Sequence, residues 1–241
     1  MATKANKSRP PILQQGNNKL GVGVWSFSLP IEKSCKSATS LCSKACYAKA
    51  GHFVWRSVRK SREEAWKSAK RKDFAARVTA FVERRKIKVV RIHVEGDWAN
   101  PLYTLKWAAI AAALPGVTFY AYTRRWRDAA MLAPLEVFAS LPNTHLWFSA
   151  DAETGEPPRP KWSAGVAYMS LSDEDMPAFP VDLVFRDSNK TEMRKTPDGY
   201  KVCPTDDGVA RKNKVTCAAC KFCYKDGRDK VPGLRTPLPV L

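Results

Sequence analysis

Residues 21–46 have the sequence GVGVWSFSLPIEKSCKSATSLCSKAC, in which a strand pattern runs into a loop rich in cysteine. Hydrophobic residues alternate with small ones from Gly21 to Leu29, and this period of two predicts a β-strand. The loop that follows carries three cysteines, which we call the N-terminal cysteine group: Cys35, Cys42 and Cys46. Ligands bind beyond the carboxyl ends of strands in α/β sheets, so the pattern predicts a binding site directly after this strand.

Strand and helix patterns alternate along the chain after this loop. They predict a long helix over 55–85 and strands over 88–94, 117–123, 145–150, 165–171 and 181–186, with further helices over 100–114 and 134–140. Such alternation is typical of a mostly parallel sheet with covering helices. We therefore expect an α/β fold, a partial six-stranded barrel of the TIM type. The chain divides into a basic N-terminal arm (1–19), the partial α/β barrel (20–186) and a C-terminal cysteine-rich segment (187–241).

The charge of the chain is unevenly distributed. The 241 residues carry a net charge of +18, with 44% hydrophobic and 27% charged residues, which indicates a globular protein. The excess lies in residues 1–90 and 186–241, while residues 91–185 are net acidic. This pattern predicts a polyanionic partner, DNA or RNA, or else an acidic host protein. No apolar run is long enough to span a membrane and no secretory signal begins the chain, so we expect a cytoplasmic protein.

Four more cysteines lie near the end of the chain and form what we call the C-terminal cysteine group: Cys203, Cys217, Cys220 and Cys223. Close thiol spacing without a secretory signal favours metal binding over disulfides. A tight triplet with one remote cysteine favours a 4Fe-4S cluster, while zinc remains the alternative. The N-terminal cysteine group offers three ligands, so a second cluster there would keep one iron open, unless His52 completes it. We therefore expect one or two clusters.

Polar residues follow the predicted strands. His93, Glu95 and Asp97 alternate at the end of the second strand, so they are predicted to point to one side. One interpretation is a catalytic cluster at the barrel mouth, and another is a divalent-metal nuclease site. The structural alternative is that His93 is a core residue and that Asp97 caps the next helix.

Basic residues near tryptophans suggest where a nucleic acid would bind. The candidates lie on the predicted long helix and after the third strand: Arg56, Arg59, Lys60, Arg124, Arg125 and Trp126. Trp126 stands between arginines in a predicted loop, which makes it the best candidate for stacking on a nucleobase.

The order of strand, three-cysteine loop, helix, strand and Glu-Gly-Asp resembles the radical S-adenosylmethionine (SAM) superfamily. The resemblance implies a partial barrel, a 4Fe-4S cluster on the N-terminal cysteine group and SAM bound beside it. The positions that the resemblance and the strand ends assign to cofactor binding are Glu95, Gly96, Asp97, Thr123 and Arg186. The cysteine gaps of six and three residues differ from the superfamily's C-x3-C-x2-C, which puts SAM cleavage in question.

A second resemblance covers more of the chain. The run GVGVWSFSLP, the Cys42-x3-Cys46-Tyr47-Ala48 motif, Arg91-Ile92-His93 with Gly96-Asp97, FYAYT at 119–123, Cys203-Pro204 and the final cysteine triplet resemble the phage gene product 88 family. This implies a phage origin and an iron–sulfur protein. Two functions follow as hypotheses: a radical-SAM-like enzyme, or a non-catalytic iron–sulfur or zinc-stabilised protein that binds nucleic acid or a host protein.

Overall fold

The computed structural model describes residues 13–172, 175, 177–186, 199–205 and 215–225. Seven strands form one sheet in chain order: β1 (Gln14–Gln15), β2 (Val24–Phe27), β3 (Val89–Ile92), β4 (Thr118–Thr123), β5 (Thr144–Ala150), β6 (Gly165–Ser170) and β7 (Leu183–Arg186). The short β1 is antiparallel to β2, and all other neighbours are parallel. Among the described strands none joins β7 to β1, so the sheet is open.

Helices connect β2 to β3, β3 to β4 and β4 to β5. Two short ones, α1 (Ile31–Ser34) and α2 (Ser40–Lys44), belong to the cysteine loop, and the longer ones are α3 (Arg56–Lys70), α4 (Phe74–Arg84), α5 (Pro101–Ala113) and α6 (Ala129–Ala139). The last described helix is α7 (Cys217–Cys220). No helix in the described residues is long and apolar enough to cross a membrane.

The two faces of the sheet differ in what covers them. Phe27, Ile92, Phe119 and Phe148 belong to one buried cluster with side chains of α4, α5 and α6, and we call this side the helix face. The register aligns Ser26, Arg91, Tyr120 and His145 in one row on the other side. Because side chains alternate along a strand, the next row holds Tyr122 and Trp147. We call this second side the tyrosine face, and the cysteine-rich end of the chain packs on it.

Two predicted helices differ from those in the structure. The helix predicted over 55–85 is two helices, because Arg71 has an extended backbone and pairs with Asp73. Lys106 stabilises this break by donating to the Ala69 and Arg71 carbonyl oxygens, at 2.9 and 2.8 Å. Helix α6 begins five residues before Pro134, where the Asp128 carboxylate accepts from the Ala130 amide.

The N-terminal arm is partly built into the sheet. Leu13 is fully buried and β1 pairs with β2, so this end of the predicted arm contributes to the core. Residues 1–12 of the arm lie outside the described residues.

Candidate metal centres

The N-terminal cysteine group lies beyond the carboxyl end of β2. Cys35 follows α1, Cys42 is within α2, and Cys46 precedes a single 3-10 turn over Tyr47–Lys49. Burial, together with nearby Asp97 and the other two thiols, raises the pKa of Cys35 to about 12. Burial also raises the pKa of Cys42, where Arg124 opposes the rise and Cys46, Asp151 and Asp97 add to it. The Cys42 and Cys46 thiols are thus close enough to Cys35 to disfavour its ionisation.

A buried polar network joins this cysteine loop to the ends of β4 and β5. The Thr39 hydroxyl donates to Asp151 at 2.6 Å and also accepts from the Cys42 amide at 3.0 Å, so it caps α2. Arg124 forms an ion pair with Asp151 at 2.9 Å, and both side chains are buried. Residues from three separate loops therefore fix the position of Cys42.

Asp97 forms the second connection, between β3 and β4. Its carboxylate accepts from the Trp98 amide, the Thr123 hydroxyl and the Arg124 amide, at 2.7, 2.8 and 3.0 Å. Burial raises the pKa of Asp97, and these three hydrogen bonds oppose the shift. Gly96 has a positive φ, and a Cβ there would lie 2.7 Å from the Leu29 carbonyl oxygen, so only glycine lets this turn approach the β2 end. Asp97 therefore supports the cysteine site instead of capping α5, which Asn100 does.

His93 and Glu95 do not share a side with Asp97, contrary to the predicted alternation. Strand β3 ends at Ile92, and the positive φ of His93 turns its ring into the helix face. There its Nε2 is hydrogen-bonded to the Tyr103 hydroxyl at 2.9 Å, and burial, assisted by Arg91, lowers its pKa to about 3. Glu95 forms a buried ion pair with Arg62 of α3. Of the three predicted catalytic residues, only Asp97 contacts the cysteine loop's network.

The other predicted cofactor residues lie in different places. Thr123 ends β4 within the Asp97 network. Arg186 ends β7, and its side chain lies outside the described part of the structure. His52, the alternative fourth ligand of the N-terminal cysteine group, is exposed and packs against the Phe53 ring at 4.1 Å.

The C-terminal cysteine group lies on the tyrosine face. Cys203 reaches it through the segment that follows β7, where its amide donates to the Val184 carbonyl oxygen at 2.8 Å. Helix α7 reaches it from the other side, because the Cys217 and Ala218 amides donate to the carbonyl oxygens of Lys19 and Leu20. Gly21 makes this approach possible, since a Cβ there would lie 2.6 Å from the Thr216 hydroxyl.

Aromatic side chains surround the C-terminal cysteine group. Tyr224 stacks on Tyr120 with ring centres 4.9 Å apart, and the Trp147 indole donates to the Cys223 carbonyl oxygen at 3.0 Å. Burial, then nearby Cys203, raises the pKa of the Cys223 thiol, while a hydrogen bond to Tyr122 opposes the rise. Cys203 thus packs close to Cys223 although it lies 20 residues before it in the sequence, and Cys217 packs near Cys223 as well.

All seven cysteines are among the described residues, and none forms a disulfide. No three histidine, cysteine, aspartate or glutamate side chains within the described residues are arranged as a preformed metal site. The donors still suit a thiophilic centre, because each group holds at least three thiols and metal binding favours their thiolate form. Ligation therefore requires the thiols of each group to turn toward a common point.

The residues predicted to bind nucleic acid separate into exposed and buried sets. Arg56, Arg59 and Lys60 are exposed on α3. Arg124 and Arg125 are buried in ion pairs with Asp151 and Asp128. Trp126 is only 9% exposed, stacks on Phe148 and donates to the Ser149 carbonyl oxygen, so it cannot stack on a nucleobase.

Two residues of these sites were not singled out as ligands or catalytic groups by sequence reasoning. Asp151 anchors both Thr39 and Arg124, and its place directly after a buried strand was the available signal. Arg91 lies on the tyrosine face, and a charged residue between Val90 and Ile92 of a parallel strand was a signal for it.

A family model described as Gene product 88 matches residues 3–231. Two relatives are the Gene 88 proteins of Mycobacterium phage L5 and Mycobacterium phage D29, which are 32% and 30% identical over 155 residues. Each match covers 59% of this chain, and the chain spans 63% of the L5 protein and 62% of the D29 protein, less than two thirds of either. No solved structure gives a significant match.

Proposed function

This chain belongs to the gene product 88 family, and we propose that it is an iron–sulfur protein with one centre on each cysteine group. One observation carries the proposal: the fold brings the thiols of each group together. Cys223 packs in the same clusters as Cys203 and Cys217, and Cys42 and Cys46 lie within electrostatic range of Cys35. A bound 4Fe-4S cluster would supply redox chemistry at either position, with thiolates as its ligands.

The proposal extends to the architecture. Strands β2 to β7 are parallel and follow one another in order, with helices packed on one face. We propose that they form the partial barrel of a radical-SAM-like protein, because the cysteine loop follows the first parallel strand as the resemblance requires. The open sheet is compatible with a partial barrel and not with a closed one.

Fewer residues support SAM binding than support iron–sulfur binding. Asp97 and Thr123 lie beside the N-terminal cysteine group, but Glu95, which the resemblance assigns to the methionine amine, is paired with Arg62. SAM binding by Glu95 would require this ion pair to open. We therefore place iron–sulfur binding first and SAM cleavage second.

Anaerobic purification with metal analysis tests the first proposal. We expect a brown protein whose iron and sulfide content falls by about half in both Cys42→Ala and Cys223→Ala, since each variant loses one centre. Ser43→Ala, next to Cys42, is the matched control and should keep full iron. A colourless protein that holds zinc would overturn the iron–sulfur proposal and leave the zinc-stabilised alternative.

The enzyme hypothesis has its own test. The brown protein is reduced and incubated with SAM, and 5′-deoxyadenosine is measured. Formation of this product in the wild-type protein but not in Cys42→Ala would support a radical-SAM-like enzyme. No product, and no change of the cluster's electron paramagnetic resonance spectrum when SAM is added, would favour the non-catalytic protein.

A second candidate function, nucleic-acid binding in the host cytoplasm, is favoured by one segment. Residues 34–62 contain seven lysines and arginines and no acidic residue. Six of these basic side chains are exposed: Lys36, Lys44, Lys49, Arg56, Arg59 and Lys60. Trp55 and Tyr47 in the same segment are 63% and 53% exposed. Aromatic rings among basic residues are typical of surfaces that bind single strands.

Fluorescence anisotropy with a labelled single-stranded oligonucleotide tests this candidate. Removing one stacking ring costs about 1–3 kcal/mol, so Trp55→Ala should weaken binding about tenfold. Leu102→Ala, at another exposed apolar side chain, is the control and should leave binding unchanged. Equal affinities of the wild-type protein and Trp55→Ala, or affinity independent of salt, would contradict nucleic-acid binding and favour an acidic protein partner.

A further inference from the structure

Arg91 is a buried cation without a counter-ion among the described residues. Its side chain projects from β3 onto the tyrosine face, and the residue is only 9% exposed. Within the described residues its Nε has no hydrogen-bond partner, and no carboxylate pairs with its guanidinium. The other buried arginines, Arg124 and Arg125, each have a carboxylate partner. A buried, unpaired charge is strongly unfavourable, so Arg91 requires an anionic partner.

The surroundings of Arg91 indicate where that anion lies. The guanidinium is 5.3 Å from the centre of the Tyr122 ring, and Tyr120 is its neighbour in the sheet register. Tyr120 and Tyr122 pack in one buried cluster with Cys217, Cys223 and Tyr224. The guanidinium also lies within electrostatic range of Tyr47 and Cys217. Arginine stays protonated in proteins, so Arg91 is a cation.

Among the described residues, the groups that approach Arg91 are tyrosines and cysteines, and no carboxylate forms an ion pair with it. The thiols of Cys217 and Cys223 are the neighbours that become anionic when they ligate a metal. Four thiolates around a 4Fe-4S cluster or a zinc ion leave a net negative charge on the centre.

We propose that Arg91 is the counter-cation of the C-terminal cysteine group, placed on the tyrosine face to offset the charge of its metal-bound thiolates. This inference rests on the proposed metal binding by the C-terminal cysteine group. It assigns Arg91 a role in balancing the charge of the site, although Arg91 is not itself a metal ligand. The same cation favours addition of an electron to a bound cluster, so it also raises the reduction potential of this centre.

The test uses the full chain with Cys35, Cys42 and Cys46 replaced by alanine, so that only the C-terminal cysteine group can bind metal. In this background Arg91→Met removes the charge, and Arg91→Lys keeps it. Arg77→Met is the matched control, because it removes one positive charge from α4 on the helix face. Co²⁺ titration of the metal-free proteins, followed by thiolate-to-cobalt absorption, measures affinity.

We expect Arg91→Met to bind Co²⁺ about tenfold or more weakly, the usual effect of losing an outer-shell partner. Arg91→Lys and Arg77→Met should stay near the background affinity. After cluster reconstitution, the midpoint potential of Arg91→Met should move to more negative values, while the other two variants keep theirs. Unchanged affinity and potential in Arg91→Met would overturn the proposal.

Thermal unfolding of the metal-free proteins separates charge balance from simple packing. Arg91→Met removes an unpaired charge, so the metal-free variant should be at least as stable as its background. A lower melting temperature without metal would assign Arg91 a packing role and overturn the proposal. If no variant assembles an iron–sulfur cluster but Co²⁺ affinity still depends on Arg91, the iron–sulfur function fails and the role of Arg91 stands.

Discussion

The two cysteine groups lie in opposite chemical environments on one sheet. The N-terminal cysteine group is at the strand ends among Asp97, Asp151 and Arg124, which are held by hydrogen bonds between loops. The C-terminal cysteine group is on the tyrosine face, against stacked rings and near the buried cation Arg91. Polar groups that can move protons or hold a ligand surround the first group, while aromatic packing shields the second.

This difference separates two roles that the cysteine spacing leaves open. A metal centre on the three thiols of the N-terminal cysteine group would keep one coordination position open. The carboxylates and the hydroxyl nearby could orient a further molecule that binds at that position. A four-ligand centre between α7 and the sheet suits folding or electron storage, because its ligands connect distant segments of the chain. We infer that any reaction of this protein occurs at the N-terminal cysteine group.

The largest loss of stability is expected when the ion pair beside the N-terminal cysteine group is broken. Arg124→Met leaves the fully buried Asp151 without its cation and should cost about 3–5 kcal/mol of unfolding free energy in urea. The double variant Arg124→Met/Asp151→Asn should lose less than the sum of the single variants. Iron bound by the C-terminal cysteine group should persist, and its loss in Arg124→Met would show that the two groups are not independent.

A smaller effect is expected at His93, which follows the strand that carries Arg91. Its pKa is about 3 in the folded protein, against 6.5 for an unperturbed histidine. Between these two pH values, only the unfolded chain binds a proton at this side chain. The folded state therefore loses stability as pH falls below 6.5, by about 2 kcal/mol at about pH 5.

His93→Asn tests this, because asparagine tolerates the positive φ and does not titrate. Urea unfolding at pH 7 and at about pH 5 should show a smaller acid-induced loss in the variant than in the wild-type protein. Metal content at neutral pH should not change, because His93 points to the helix face. An equal acid-induced loss in both proteins would contradict the buried, neutral histidine.

The smallest effect is expected at Tyr224, on the C-terminal cysteine group. Its hydroxyl donates to the Cys217 carbonyl oxygen at 3.0 Å, so Tyr224→Phe should cost about 1 kcal/mol in thermal unfolding. The stacking on Tyr120 is kept in this variant. Tyr224→Leu, which also removes the stacked ring, should lose more, and equal losses would mean that the ring stacking does not hold this segment.

Several features of the fold were predictable because they depend on local pattern. Alternation predicted the six parallel strands near their observed positions, and Asn100-Pro101 marked the start of α5. The break between α3 and α4 was missed because their apolar faces continue across Arg71–Asp73, and Lys106, distant in sequence, stabilises it. Trp126 was assigned to the surface because three arginines flank it, although two of them are buried in ion pairs.

By itself, the sequence determined the order of strands and helices along the chain and the division of the seven cysteines into two groups. It also determined the concentration of basic residues around these groups. These are properties of neighbouring residues, so they need no knowledge of contacts. Only the tertiary structure decided that His93 turns to the helix face, that Asp151 anchors the cysteine loop and that Arg91 lies on the face where a segment more than 120 residues later in the chain packs. Side-chain direction at a strand end, and partners across a sheet, depend on backbone turns and long-range packing that no local pattern encodes.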